Sequence, residues 1–218
     1  MIGVRWRKVV RDLTHLRART ALVVLSIAIG VFAVGTIAGS QAALDASLRD
    51  GYERAQSANL IVYTTVPFDE GLVDSIRRIP GVGIAEGRRT VSVRVRTGET
   101  WRELQLTGID AWDDQHVDVV IPLDGEPEPR RGEILLERSA GTIADLGPGS
   151  DATIELPDGS TTTVRIGGLA WEPGATPAYY FGRLSGYATF QTLADLGYDD
   201  RFCEVRVRAG DPAQVTAA

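Results

Sequence analysis

Side chains able to do chemistry are few in this 218-residue chain and poorly spaced for it. A single cysteine, Cys203, permits neither an intrachain disulfide nor a Cys-based zinc site. The two histidines, His15 and His116, lie more than a hundred residues apart and leave little material for a His-rich metal centre. Ser139 follows Glu137-Arg138, but no histidine near it in sequence offers a base, so a helix-capping role is expected. Asp110, Asp113, Asp114, His116 and Asp118 supply oxygen ligands suited to a divalent cation. They lack the glycine and closing glutamate of an EF-hand, and a solvated loop is expected. No GxxxxGK[ST] stretch is present to cradle a nucleoside triphosphate. The chain is therefore expected to be no enzyme and to hold no cofactor and no metal.

Charge is distributed far less evenly than the averages suggest. Residues 1–20 hold six basic groups (Arg5, Arg7, Lys8, Arg11, Arg17, Arg19) against one acid, Asp12, a local charge of +5. The remaining 17 basic and 28 acidic residues leave −11 after them, and 25 consecutive residues between Arg19 and Asp45 carry no charge. An acidic bulk repels phosphate, so no nucleic-acid partner is expected.

The uncharged run Ala21–Gly39 (ALVVLSIAIGVFAVGTIAG) is apolar or small throughout. As a helix it reaches roughly 29 Å, against ~30 Å for a bilayer's hydrocarbon core. A transmembrane helix is expected over 20–40, with the basic N-terminus in the cytoplasm and the acidic bulk outside the plasma membrane. Trp6, Val9, Val10, Leu13 and Leu16 recur at helical spacing, which predicts an amphipathic helix over 1–19 at the inner membrane surface. Trp6, Arg17 and Arg19 are its membrane-anchoring residues. A cleaved signal peptide competes with this reading, because Ala38, Gly39 and Ser40 suit a signal peptidase. The apolar run is longer than a usual h-region of about 7–15 residues. Ser26, Gly30 and Gly35 mark either a close helix–helix contact or the ordinary composition of such helices.

Beyond the membrane, Ala43, Leu44, Ser47, Leu48, Tyr52 and Ala55 predict a helical stalk over 41–58. A strand at Asn59–Tyr63 is followed by a helix capped by Asp69, with the stripe Leu72, Val73, Ile76 and Ile79 and a Pro80-Gly81 stop. Val91, Val93 and Val95 alternate with Ser92, Arg94 and Arg96, and Thr97-Gly98 turns that strand into another around Trp101–Ile109. Near the C-terminus a strand at Tyr187–Thr189, a helix carrying Phe190, Leu193 and Leu196, and a strand with Cys203, Val205 and Val207 facing the core complete a β-α-β unit. The expected fold class is α+β: a split ferredoxin-like (βαββ…βαβ) lobe over 59–121 and 182–210, carrying an inserted small β-rich lobe over 130–181. Pro122–Arg131 is expected as the linker, followed by a strand at Glu133–Leu136 and a helix at Ser139–Leu146. A hairpin of Ala152–Leu156 and Thr161–Ile166 then leads into a Gly/Pro-rich loop from Gly167 to Tyr180.

These residues resemble a family. RDLTHLRARTALVVLSIAIGVFAVG is similar to the first membrane segment of ABC-transporter permeases of the MacB/FtsX type. In that family a basic lead, an Arg-Thr before the bilayer (here Arg19-Thr20) and an IAIGV core (here containing Ile29 and Gly30) recur. GEILLERSAGTIADLGPGSDATIELPDGSTTTVRIGGLA resembles the insert of the family's periplasmic core domain, and PGVGIAEGRRTVSVRV resembles its earlier strand-helix-strand unit. The resemblance implies a non-catalytic membrane subunit that pairs with a cytoplasmic ABC ATPase and a second permease copy. Such a subunit couples the ATPase cycle to export, lipoprotein release or transmembrane signalling. Thr20, Ile29 and Gly30 join the membrane-anchoring set. Family members carry three further helices after this domain, so the chain is expected to be the front portion of a longer permease. Trp171, Tyr179, Tyr180 and Phe181 are candidate client contacts, although packing between the two lobes is the expected role for them. The rivals are a signal-anchored binding or adhesion module without an ATPase and a secreted hydrolase.

Overall fold

A computed structural model describes residues 17–210, so Trp6 and nearly all of the amphipathic helix expected over 1–19 lie outside the described residues. The chain divides into two compact units, Met1–Asp50 and Gly51–Ala218. Helix α1 runs unbroken over Arg17–Arg54. Its stretch Ala18–Ala46 is long and apolar enough to cross a membrane, and none of it is buried by protein. Apolar side chains cover its whole circumference rather than one stripe, so it has no face suited to water. Even Thr36 satisfies its hydroxyl internally, donating to the Phe32 carbonyl at 2.8 Å.

Among the described residues the second unit has nine strands. β1 spans Leu60–Phe68, β2 Val82–Thr97, β3 Thr100–Ile109, β4 Ile121–Gly125 and β5 Glu133–Glu137. β6 spans Asp151–Glu155, β7 Thr161–Trp171, β8 Leu184–Thr189 and β9 Phe202–Ala209. Helices α2 (Glu70–Arg77), α3 (Arg138–Ala144), α4 (Ala178–Phe181) and α5 (Phe190–Asp195) lie between them. Local chemistry accounts for most of these elements. The Asp69 side chain accepts from the Gly71 N–H and starts α2, as expected. Val91, Val93 and Val95 are buried while Ser92, Arg94 and Arg96 are not fully covered, which is the period-two signature of β2. Gly98, at φ +61°, allows the tight β2–β3 turn.

Pairing departs from the expected two lobes. Strands lie in the order β1-β9-β2-β3-β8-β5-β7-β4, and β6 pairs with both β7 and β2. Six strands (β2, β3, β8, β5, β7 and β6) therefore close a ring of hydrogen-bonded neighbours. The β-α-β-β and β-α-β orders are present. However, β8 inserts between β3 and the expected insert strand β5, so the pieces do not form a ferredoxin-like lobe separate from an insert. One core results, drawing Val91, Leu104 and Leu193 from one expected lobe and Leu136, Ile154 and Ile166 from the other. A smaller core under α2 joins Val73, Ala85, Val205 and Val207. Leu72 and Ile79, expected on the buried stripe of α2, are exposed, because α2 is only two turns long and rests on the sheet through Val73 and Ile76. The expected linker is partly strand: β4 pairs with the end of β7, which itself runs on to Trp171 where a loop was expected.

Candidate functional site

The alternation Glu204, Arg206 on β9 suggests a wet face, yet both faces of that strand are covered. Val205 and Val207 point into the core under α2, while Glu204 and Arg206 are 3% and 9% exposed on the other side. Register supplies the reason. Arg206 pairs across to Glu86 and Ile61, and Glu204 to Arg88 and Tyr63. One sheet face thus carries the i,i+2 charge pairs Glu86/Arg88 and Glu204/Arg206 on adjacent strands, and opposite charges directly face each other.

Arg206 is the centre of this cluster. Its Nη1 binds Glu172 and lies 3.3 Å from Asp118, and its Nη2 lies 3.0 Å from Glu204. Arg88 pairs with Glu86 at 2.8 Å and donates to the Val117 carbonyl at 3.2 Å. Asp118 also accepts from the Ala58 N–H at 2.9 Å, through a backbone held at φ +49°. Burial alone would lower the affinity of the Arg206 guanidinium for its proton. Glu172, Glu204 and Asp118 outweigh burial and raise it. Arg88 goes the other way, because burial outweighs its partner Glu86 and lowers it. Burial pushes the Glu172 carboxyl above its ordinary value against the opposing pull of Arg206. Burial likewise raises the Tyr187 phenol well above its usual range, and the charge of Glu172 adds to that. The Tyr187 hydroxyl completes no hydrogen bond of ordinary geometry among the described residues.

Asp118, Glu172, Glu204 and Arg206 floor a cleft of about 950 Å³ on the side of the sheet away from α2. Ile61 and Tyr63 form one wall, and Thr90, Gln105, Thr107 and Ser185 line the sheet face, where Thr90 and Thr107 share a hydroxyl–hydroxyl bond of 3.2 Å. Phe181 and Arg183 stand at the far rim. The site offers hydroxyl and amide groups above a buried cluster with two more negative than positive groups, next to apolar walls. Such a surface can bind a ligand through its hydroxyl, amide and charged groups.

Other expected site residues are dispersed. Asp118 turns inward to Arg206, whereas His116 lies 3.4 Å from both Glu86 and Asp114 at the surface. Among the described residues no group of three or more His, Cys, Asp or Glu side chains is placed to hold a metal ion. Ser139 is not the cap of α3. Glu137 is, accepting from the Ser139 and Ala140 N–H groups, and the Ser139 hydroxyl donates to Glu137 and accepts from the Ala178 N–H at 2.7 Å. Cys203, expected in the core, is half-buried and faces Thr90, whose N–H donates to Sγ at 3.2 Å.

The aromatic group separates into two. Trp171 ends β7 against Gly51, with the Arg138 guanidinium 6.0 Å from its ring. Tyr179, Tyr180 and Phe181 are 65%, 68% and 81% exposed on the single turn of α4, so packing between lobes does not describe them. Ile29 and Gly30 lie on the exposed apolar surface of α1 beyond Arg19 and Thr20, and the side chain of Arg17 is outside what the structure describes.

No protein-family model matches the chain, and no curated protein matches it in sequence. Solved structures do. The extracellular domain of the noncanonic ABC-type transporter YknZ from Gram-positive bacteria is similar at 15% identity and a TM-score of 0.49, over 72% of this chain and 86% of that one. The periplasmic region of MacB from Actinobacillus actinomycetemcomitans is similar at 14% identity and a TM-score of 0.43, over 70% of each chain.

Proposed function

We propose that this chain is the first membrane helix and extracytoplasmic domain of an ABC-transporter permease of the MacB/FtsX type. The reading is carried by α1: a bare apolar span over Ala18–Ala46, preceded by the +5 segment and leading into an acidic α+β unit. The basic flank orients the N-terminus to the cytoplasm and the nine-stranded unit outside. In this role the chain has no reaction of its own. A cytoplasmic ABC ATPase supplies the energy, a second permease copy completes the membrane part, and the outer unit meets the client for export, lipoprotein release or signalling. The Tyr179–Phe181 turn and the charged-floor cleft are its client-facing surfaces.

Affinity purification of the full-length gene product from membranes in a mild detergent tests this. A P-loop ATPase should co-purify in stoichiometric amount. Recovery of a membrane-bound protein without an ATPase would replace the proposal with the anchored binding module. A mature N-terminus near Gln41 would remove the anchor altogether.

A further inference from the structure

We propose that the free edge of β1, beside the charged-floor cleft, receives an extended basic and apolar segment of a partner polypeptide as an added strand. The proposal does not depend on the permease reading. Among the described residues β1 pairs only with β9, so its outer row of backbone N–H and C=O groups has no strand against it. Edges of this kind are usually blunted by charge, proline or a bulge. The sequence of β1, LIVYTTVPF, has no charge, and its register shift and Pro67 fall after Tyr63. Leu60–Tyr63 therefore stays regular and open. Leu60, Ile61 and Tyr63 are 45%, 38% and 71% exposed, an apolar surface on a pairing edge.

Charge selects the occupant. Ile61 and Tyr63 share their side of the sheet with the cleft, whose floor sets Asp118, Glu172 and Glu204 against Arg206 alone. The rim cation Arg183 lies 3.4 Å from Glu103 and is spoken for. A second copy of this chain would bring two acidic units together, since −11 resides beyond residue 20. A strand bearing lysine or arginine has the opposite sign. It would lie about 4.8 Å outside β1, and a long basic side chain laid across the Tyr63 ring would carry its charge toward the floor. Apolar residues alternating with the basic ones would cover Leu60 on the other side.

The full chain in a non-ionic maltoside detergent is the sample, and the probes are two acetylated ten-residue peptides, one alternating Lys and Val and one alternating Glu and Val. The Lys-Val peptide should bind at least about tenfold more tightly by fluorescence anisotropy, lose affinity with salt, and slow amide exchange at Leu60–Tyr63. Tyr63→Lys, at an exposed position that should leave the fold intact, should reduce that binding by about tenfold, and Tyr63→Phe should retain it. Equal binding of the two peptides, no binding of either, protection elsewhere, or dimerisation of the chain through β1 would each overturn the proposal.

Discussion

Replacing Arg206 by methionine would leave Asp118, Glu172 and Glu204 facing one another beneath the cleft with their shared cation gone. Uncompensated buried charge of this kind costs about 3–5 kcal/mol, and the urea midpoint of the detergent-solubilised chain should fall accordingly. Glu172→Gln should be far milder, about 1 kcal/mol at pH 7, because three carboxylates crowd one guanidinium and neutralising one relieves the other two. The sign of its pH dependence follows from burial. Glu172 has a folded value raised above the ordinary 4.5, so the folded chain holds its proton more tightly than the unfolded chain does. Its contribution to stability therefore grows as pH falls through the raised value toward 4.5 and is lost as pH rises through the same window. Urea titrations across that window should show this slope in the parent chain and its loss in Glu172→Gln. None of this was legible in the sequence, where Glu204 and Arg206 alternate with valines and look like a solvated face. Their partners Asp118 and Glu172 sit 88 and 34 residues away and belong to loops.

Among the elements, α2 and β6 illustrate what local pattern can and cannot specify. Asp69 was identifiable as a cap because an acceptor before an amphipathic turn has a local partner, the Gly71 N–H at 3.1 Å. Asp69→Ala should cost about 1 kcal/mol, read from the same urea midpoint. β6 was identifiable as half of a hairpin with β7, but its second neighbour was not. Only Arg94↔Glu155 and Val95↔Ile154 join β6 to β2, a seam as short as that of β5–β8 and shorter than the others in the ring. Ile154, fully buried at that seam, fills the shared core, and Ile154→Ala should cost about 2–5 kcal/mol. Hydrogen exchange should then rise first in β6 and in β2 around Val95 while β1 and β9 keep their protection. Loss of protection throughout the unit at once would mean that the ring and the α2 core do not open separately.

At the scale of the whole molecule, the apolar span governs where the chain resides. Ile29 is 59% exposed on a stretch of α1 that no described residue buries, and on the proposed reading its solvent is lipid. Ile29→Arg would place a charge near the middle of the span at a cost of about 2.5–3.5 kcal/mol. A measurable share of that variant should move from the membrane pellet to the alkaline-carbonate supernatant, with Ile29→Leu unchanged. An Ile29→Arg chain retained as fully as the parent would argue that the span does not hold the protein in the bilayer.

Charge and hydropathy along the chain determined by themselves the basic lead, the span, the acidic α+β unit and most strand and helix positions, including the alternation of β2 and the β6–β7 hairpin. These features depend on neighbours a few residues apart, and short-range periodicity records them. Tertiary structure alone decided that the two expected lobes are one ring-closed unit, that β9 is buried on both faces, and that Tyr179–Phe181 stand in solvent. The ring depends on strand edges that meet across more than fifty residues, as at Arg94↔Glu155, Leu135↔Tyr187 and Leu104↔Leu184, and the burial of β9 on edges that meet across more than a hundred, as at Arg88↔Glu204. Strand-edge meetings of that kind are set by closing the sheet around a shared core, and no local pattern of residues encodes them.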